Sequence, residues 1–190
     1  MIGEHSSKQY DNELEAIRSK VLLMGGIVET QFLDAMTCFR IGNPERADRV
    51  IREDDVVNQL EVSLDDACSH LIVRRQPAAN DLRTIMATIK VITDLERVGD
   101  EATKIARVAK NLHKRGNAVV NHYEMVRGVA NTATDMLHDA LDAFARNDGR
   151  LIFNNQYRGF IRCHKSYSGS SSEMAGAADL VWRMSLPSTT

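Results

Sequence analysis

The sequence predicts an all-α fold: an elongated antiparallel three-helix bundle, then one further long helix and an irregular tail. Three observations carry that prediction. Apolar residues recur at three- and four-residue steps over stretches of about thirty residues, the period of a helix with one buried face. Only Pro44, Pro77 and Pro187 interrupt 190 residues, and the first two fall between stripes, where helices end. Aromatic residues make up 5% of the chain, which suits long helices better than sheets.

The first stripe, between Tyr10 and about Arg40, consists of Leu14, Ile17, Val21, Met24 and Val28, continued by Phe32, Ala35 and Phe39. IGNPER ends it: Gly42 suits a helix terminus, Asn43 an N-cap and Pro44 the first turn of the next helix. The second helix is expected to run to about Val73 on Ala47, Val50, Val57, Leu64 and Leu71. RRQPAAND then breaks the pattern, with Arg74 and Arg75 at the negative end of the helix dipole. Ala78 or Asn80 opens a third helix carrying Leu82, Ile85, Ile89 and Ile92, then Val98, Ala102, Ile105, Ala109 and Leu112. Gly116 stops it. A fourth helix, about Asn121 to Asn147, shows a weaker stripe of Met125, Val129, Thr132, Met136, Ala140 and Phe144. Helices of this length reach about 45 Å, and short connections make neighbours antiparallel. After Asp148 the helical period is lost and a Ser/Gly-rich centre follows, either a flexible tail or the product of a reading-frame change.

The 24 basic and 26 acidic residues leave a formal net charge of -2, which argues against a nucleic-acid binder running on bulk charge. Cys38, Cys68 and Cys163 are odd in number and lack metal or redox spacing, the usage of reduced cytoplasmic thiols. The polar N-terminus has no signal-peptide core, and no run of eighteen apolar residues occurs. A cytoplasmic protein is expected, peripheral to membranes through its partners. No nucleophile beside a His, phosphate-cradling loop or nucleotide fingerprint is present.

The acids inside the stripes carry the chemistry. Asp54 and Glu61 lie on the marked face of the second helix, with Asn58 one turn beyond Asp54; Glu96 and Asp100 border the face of the third. Folding these two helices as a hairpin about Pro77 sets Asp54 level with Asp100 and Asn58 level with Glu96, to within about one helical turn. Carboxylates converging in a partly buried seam repel one another and lose hydration, a cost of several kcal/mol per ion that a bound cation offsets. All-oxygen ligation favours hard or borderline divalent ions. The competing reading is a solvated edge, with Arg97 and Lys104 pairing with the acids. Gly99 suits close approach of another backbone or a ligand, and Gly25 and Gly26 suit close helix packing near the same level. Arg74, Arg75 and Arg83 surround the second turn and could meet an acidic partner or a phosphate group, although helix-end bases commonly serve stability alone. Asp135 and His138 form one half of a ferritin-like pair without a matching ExxH.

These residues resemble the PhoU family of accessory regulators of phosphate transport. ELEAIRSKVLLMGGIVE, VIREDDVVNQLE, RRQPAANDLR, IKVITDLERVGDEA and MLHDALDAFAR carry the resemblance, in order, from about His5 to Asp148. The family is built from two three-helix repeats with E(D)xxxD motifs on two helices of each, through which some members hold multinuclear metal clusters. Glu96 to Asp100 matches that motif fully, and Asp54 to Asn58 matches it with Asn in the last place, one negative charge fewer. The resemblance therefore implies a metal site at Asp54, Asn58, Glu96 and Asp100, with Glu61 a further candidate, holding Mg, Mn, Fe or Zn. It divides the chain into a first repeat at 1–116, the first helix of an incomplete second repeat at 117–148, and a tail at 149–190 without family resemblance, a C-terminal truncation.

The function implied is a non-enzymatic cytoplasmic negative regulator of the phosphate regulon, an adaptor between the transporter's ATPase subunit PstB and the sensor kinase PhoR. The alternatives are a ferritin-like di-metal carboxylate enzyme and a metal-free helical scaffold. A lone fourth helix exposes its apolar stripe unless it meets the bundle, the tail or another copy, so a homo-oligomer is expected.

Overall fold

The protein, as a computed structural model, is described at residues 2–114 and 123–146. The described residues form four helices: α1 (Ile2–Ile41), α2 (Pro44–Arg75), α3 (Ala79–Lys114) and α4 (Tyr123–Ala145). Cys163, Gly116, the 117–122 connection and the tail lie outside them. The all-α prediction holds.

Each break forms through local chemistry. Gly42 takes a left-handed φ of 70°, which a side chain would disfavour. The Asn43 side chain accepts from the Arg46 N–H at 2.9 Å, and Pro44 opens α2, a capped start with the missing proline donor at a position that needs none. At the second turn Gln76, a non-glycine residue, sits at φ 45° and donates its N–H to Ile72 O at 3.0 Å. That bond satisfies a carbonyl at the end of α2, and Pro77 follows. α2 runs two residues past the expected Val73, and α1 begins earlier than the expected Tyr10 because the helix continues without a break through the polar N-terminal residues.

α1, α2 and α3 pack against one another, and α4 packs on α1. α1 is long and apolar enough by composition to cross a membrane, but its stripe of Ile17, Val21, Met24, Val28, Phe32 and Ala35 is buried in the bundle core. α4 runs antiparallel to α1: Arg18 donates to the carbonyls of Phe144 and Ala145 at 3.2 and 3.1 Å, while His138 meets Glu29 at 3.3 Å. Gly25 makes this closeness possible, since a Cβ there would sit 2.3 Å from Leu141 Cδ2. Gly26 faces open space instead. Val129, Ala130 and Ala143 are buried, so the packing face is rotated from the expected stripe toward Ala130, Leu137 and Leu141. The fourth helix thus finds a partner inside the chain, which removes the premise on which a homo-oligomer was expected.

Candidate functional site

The bundle core is two apolar clusters with a polar level between them. Toward the second turn the core is large and aliphatic, with Leu64, Leu71, Ile85 and Ile92, and it reaches Val28, Val57 and Val98. Toward the first turn it is mostly alanine, with Ala35, Ala47, Ala102, Ala106 and Ala109, beginning at Phe32 and Val50. The residues where one cluster gives way to the other are Gln31 on α1, Asp54 on α2, and Gly99, Asp100 and Thr103 on α3.

Gln31 is fully buried. Its Nε2 donates to Val50 O at 3.4 Å, while its Oε1 has no partner. A Cβ on Gly99 would stand 3.2 Å from that oxygen, a tight approach, and in ordinary contact with Val57 Cγ1 at 3.4 Å, so the glycine gives the Gln31 side chain of α1 its room against α3. Asp54 Oδ1 and Thr103 Oγ1 are also buried without partners. Three orphaned polar atoms at one level are costly, at about 1–3 kcal/mol for each group left unsatisfied.

The electrostatics agree. Loss of hydration raises the Asp54 carboxyl above its ordinary range; the Thr103 hydroxyl, near it without closing a well-formed hydrogen bond, opposes that shift, and Asp100 reinforces it. Loss of hydration likewise raises Glu96, and repulsion from Asp100, Glu61 and Asp54 adds to it. Like charges close enough to move one another's protonation mark a shared field. Asp54, Glu61, Glu96 and Asp100 therefore share one region of the α2–α3 seam. Of the two bases named as neutralising partners, Lys104 bonds Glu101 at 2.8 Å and Arg97 bonds Asp94 at 3.3 Å.

Repulsion reaches Glu96 from Glu61, one turn further along α2 than Asn58, and from Asp54 as well. Asn58 itself is exposed and borders a shallow hollow on the outer side of α2 with Asp55, Gln59, Val62, Ser63 and Asp66. Among the described residues, no three His, Cys, Asp or Glu side chains are gathered closely enough to hold a metal ion as they stand. The donor chemistry still fits a hard divalent cation: acidic oxygens from two helices, one of them buried and unpartnered.

Arg75 is drawn into the fold, bonding Glu13 on α1 at 2.7 and 3.3 Å. Arg74 and Arg83 are exposed. His138 turns to Glu29 on α1. Cys38 and Cys68 are buried free thiols, and burial pushes Cys68 up to about 11, the state of inert core cysteines. Gln31 and Thr103 were not singled out by sequence. Their signal was available, since each is a polar residue one or two turns along an apolar stripe, seven after Met24 and four after Gly99.

Residues 21–109, which contain this whole level, match the PhoU domain family. The chain is 46% identical over 149 residues to the phosphate-specific transport system accessory protein PhoU of Serratia marcescens, covering 77% of this chain and 60% of that protein. It is 44% identical over 175 residues to the protein of the same name from Edwardsiella tarda, covering 87% and 71%. The crystal structure of PhoU from Pseudomonas aeruginosa superposes with a TM-score of 0.71 at 34% identity, covering 92% of this chain and 88% of that one. With the helices, the glycine-spaced acids and these likenesses in agreement, the chain belongs to the PhoU family.

Proposed function

We propose that this chain is a non-enzymatic accessory regulator of phosphate uptake and phosphate-starvation signalling. The observation that carries the reading is the close likeness to proteins named accessory to the phosphate-specific transport system, with the family match running from 21 to 109 across α1, α2 and α3. Its partners on this reading are the transporter ATPase PstB and the sensor kinase PhoR, met at the cytoplasmic face of the membrane through helix surfaces. Asp54, Glu61, Glu96 and Asp100 would hold a divalent metal, Mg, Mn, Fe or Zn, which would neutralise the seam and stiffen α2 against α3. The orphaned Asp54 oxygen and the mutual repulsion at Glu96 support that assignment.

The test is elemental mass spectrometry on the tag-free chain and on a Glu96→Ala/Asp100→Ala variant, each also offered to immobilised PstB and PhoR. Metal in the wild type, its loss in the variant and retention of at least one partner by the wild type are expected. A wild type that holds no metal returns the seam to a scaffold role, and one that retains neither partner overturns the adaptor reading.

A further inference from the structure

Between Arg52 and Arg74, α2 carries six acids, Glu53, Asp54, Asp55, Glu61, Asp65 and Asp66, and no lysine or arginine. Among the described residues, only Glu53 of these six is in an ion pair, with Arg49 at 3.9 Å. Asp55, Gln59, Val62, Asp66, Ser69 and Val73 occupy the outer side of the helix at alternating steps of four and three residues, the spacing that keeps a stripe on one side. All six are exposed, and so is Asp65 beside them. Val62 is 60% exposed and Val73 74%, and just past the turn α3 adds the exposed Leu82 and Met86. Apolar side chains left in water along a row of unpaired acids make a face without its partner. The shallow hollow lined by Asp55, Val62 and Asp66 gives that face a concavity.

The complement of this face lies in the same chain. From Gly149 to Ser172 the sequence has no acid and four bases, Arg150, Arg158, Arg162 and Lys165, and among them fall Leu151, Ile152, Phe153, Tyr157, Phe160 and Ile161. Bases interleaved with aromatic and aliphatic side chains match acids interleaved with valines in both charge and apolar character. Leu23 and Leu33 on the outer side of α1 are exposed as well, but Ser19, Gly26 and Thr30 on the same side offer the four bases no charge. The described chain ends at Arg146, and Arg18 donates to Ala145 O at 3.1 Å. Two residues further along α1, Lys20 donates to Ser63 of α2 at 2.6 Å, so α4 delivers the chain level with the middle of the acidic row. A helix is about 10–12 Å across and an extended residue covers about 3.3 Å, so the chain can pass α1 and reach α2 within a few residues of Arg146. We propose that residues 150–167 dock on the outer face of α2, their bases against Asp55, Asp65 and Asp66 and their apolar side chains on Val62, Val73, Leu82 and Met86. Those three acids are not among the four assigned to the metal, so the two readings stand apart. While docked, the segment denies this face to any other cationic partner.

Cys163 lies inside the segment and reports on it, because Cys38 and Cys68 are buried. The test is the rate at which Cys163 of the full chain reacts with a bulky thiol reagent, in the wild type, in Asp65→Lys/Asp66→Lys, in Arg158→Glu/Arg162→Glu and in the combination of all four changes. Asp65 and Asp66 are exposed, so circular dichroism is expected to be unchanged throughout. Cys163 is protected in the wild type, and either pair of reversals speeds its labelling by about fivefold, the scale of two lost exposed charge pairs. The combination restores opposite charges and slows the labelling again. Carbodiimide coupling of Lys165, the only lysine after Lys114, then locates the segment: in a mixture of isotopically light and heavy chains, the coupled carboxylates are expected on α2 of the same chain. An equal labelling rate in the wild type and in Asp65→Lys/Asp66→Lys overturns the proposal, and so does a combination that stays fast. Failure of Lys165 to couple to α2 overturns it as well, whether it couples to another element, to a different chain or to nothing.

Discussion

The two halves of the bundle are built from the same three helices and differ in what fills them. Toward the second turn, Leu64, Leu71, Ile85 and Ile92 interlock in a core of large side chains. Toward the first, Ala35, Ala47, Ala102, Ala106 and Ala109 make up most of the buried cluster, beside Phe32 and Val50. That end holds its charge in ion pairs: Asp34 is buried and meets Arg46 at 3.1 Å and also Arg49, and Lys110 bonds Asp48. The difference teaches that hydrophobic area is concentrated in one half, where it can carry the polar level that both halves border. Alanine in the other half puts little side-chain volume between the helices that border that level.

The largest effect should come from the aliphatic half. Leu64 is fully buried, and Leu64→Ala deletes apolar area and leaves a cavity, so it should cost about 3 kcal/mol in urea unfolding. A cost below about 1 kcal/mol would break the comparison, since it would mean that this half relaxes freely. The alanine half should respond to added volume. Ala106 has no exposure, and Ala106→Leu should destabilise by about 1–3 kcal/mol through overpacking. If that variant gains stability instead, the alanine cluster holds unfilled space and close approach is not its role.

The helices were legible in the sequence because their stripes and breakers agree: Gly42, Asn43 and Pro44 each take the position their chemistry favours. Gln76 was not legible, because its left-handed conformation goes with a helix-ending bond to Ile72 that a non-glycine residue does not advertise. A hairpin read by counting from Pro77 puts Glu96 opposite Asn58 to within about a turn, and the α2 acids that raise Glu96 are Glu61 and Asp54, on either side of it. The acids themselves could be read because carboxylates interrupt an apolar stripe. Gln31 and Thr103 could have been read by the same rule, but a neutral polar residue in a stripe is common enough that only its unpartnered, buried oxygen distinguishes it. The packing of α4 was outside what its own sequence decides, since it depends on the hole at Gly25 in another helix.

The smallest effect is the one that sharpens the comparison most, because it isolates the level between the halves. Asp54→Asn keeps the shape and removes the charge. Since burial and Asp100 hold the Asp54 carboxyl above its ordinary range, the folded state binds more protons than the unfolded state in the window between the ordinary and raised values. Stability therefore falls as pH rises through that window. The penalty is absent below the ordinary range near 3.9 and fully present above the raised value. Glu13 and Asp48 act in the opposite sense, since bonds from Arg75 and Lys110 hold both below their ordinary range, and their contribution is lost as pH falls. Both chains share those groups, so the difference between wild type and variant isolates Asp54. With chelator present, Asp54→Asn should be more stable at pH 7 by up to about 1 kcal/mol, a value held down by the remaining solvent access of the carboxyl. The gain should vanish below about pH 4. On the proposed metal reading, added Mn should then reverse the order, raising the unfolding midpoint of the wild type alone, because the charge that costs stability in the seam would be the charge that holds the cation. A variant less stable than wild type at pH 7 without metal would show that Asp54 is already paired, and the polar level would then be one more structural contact of the bundle.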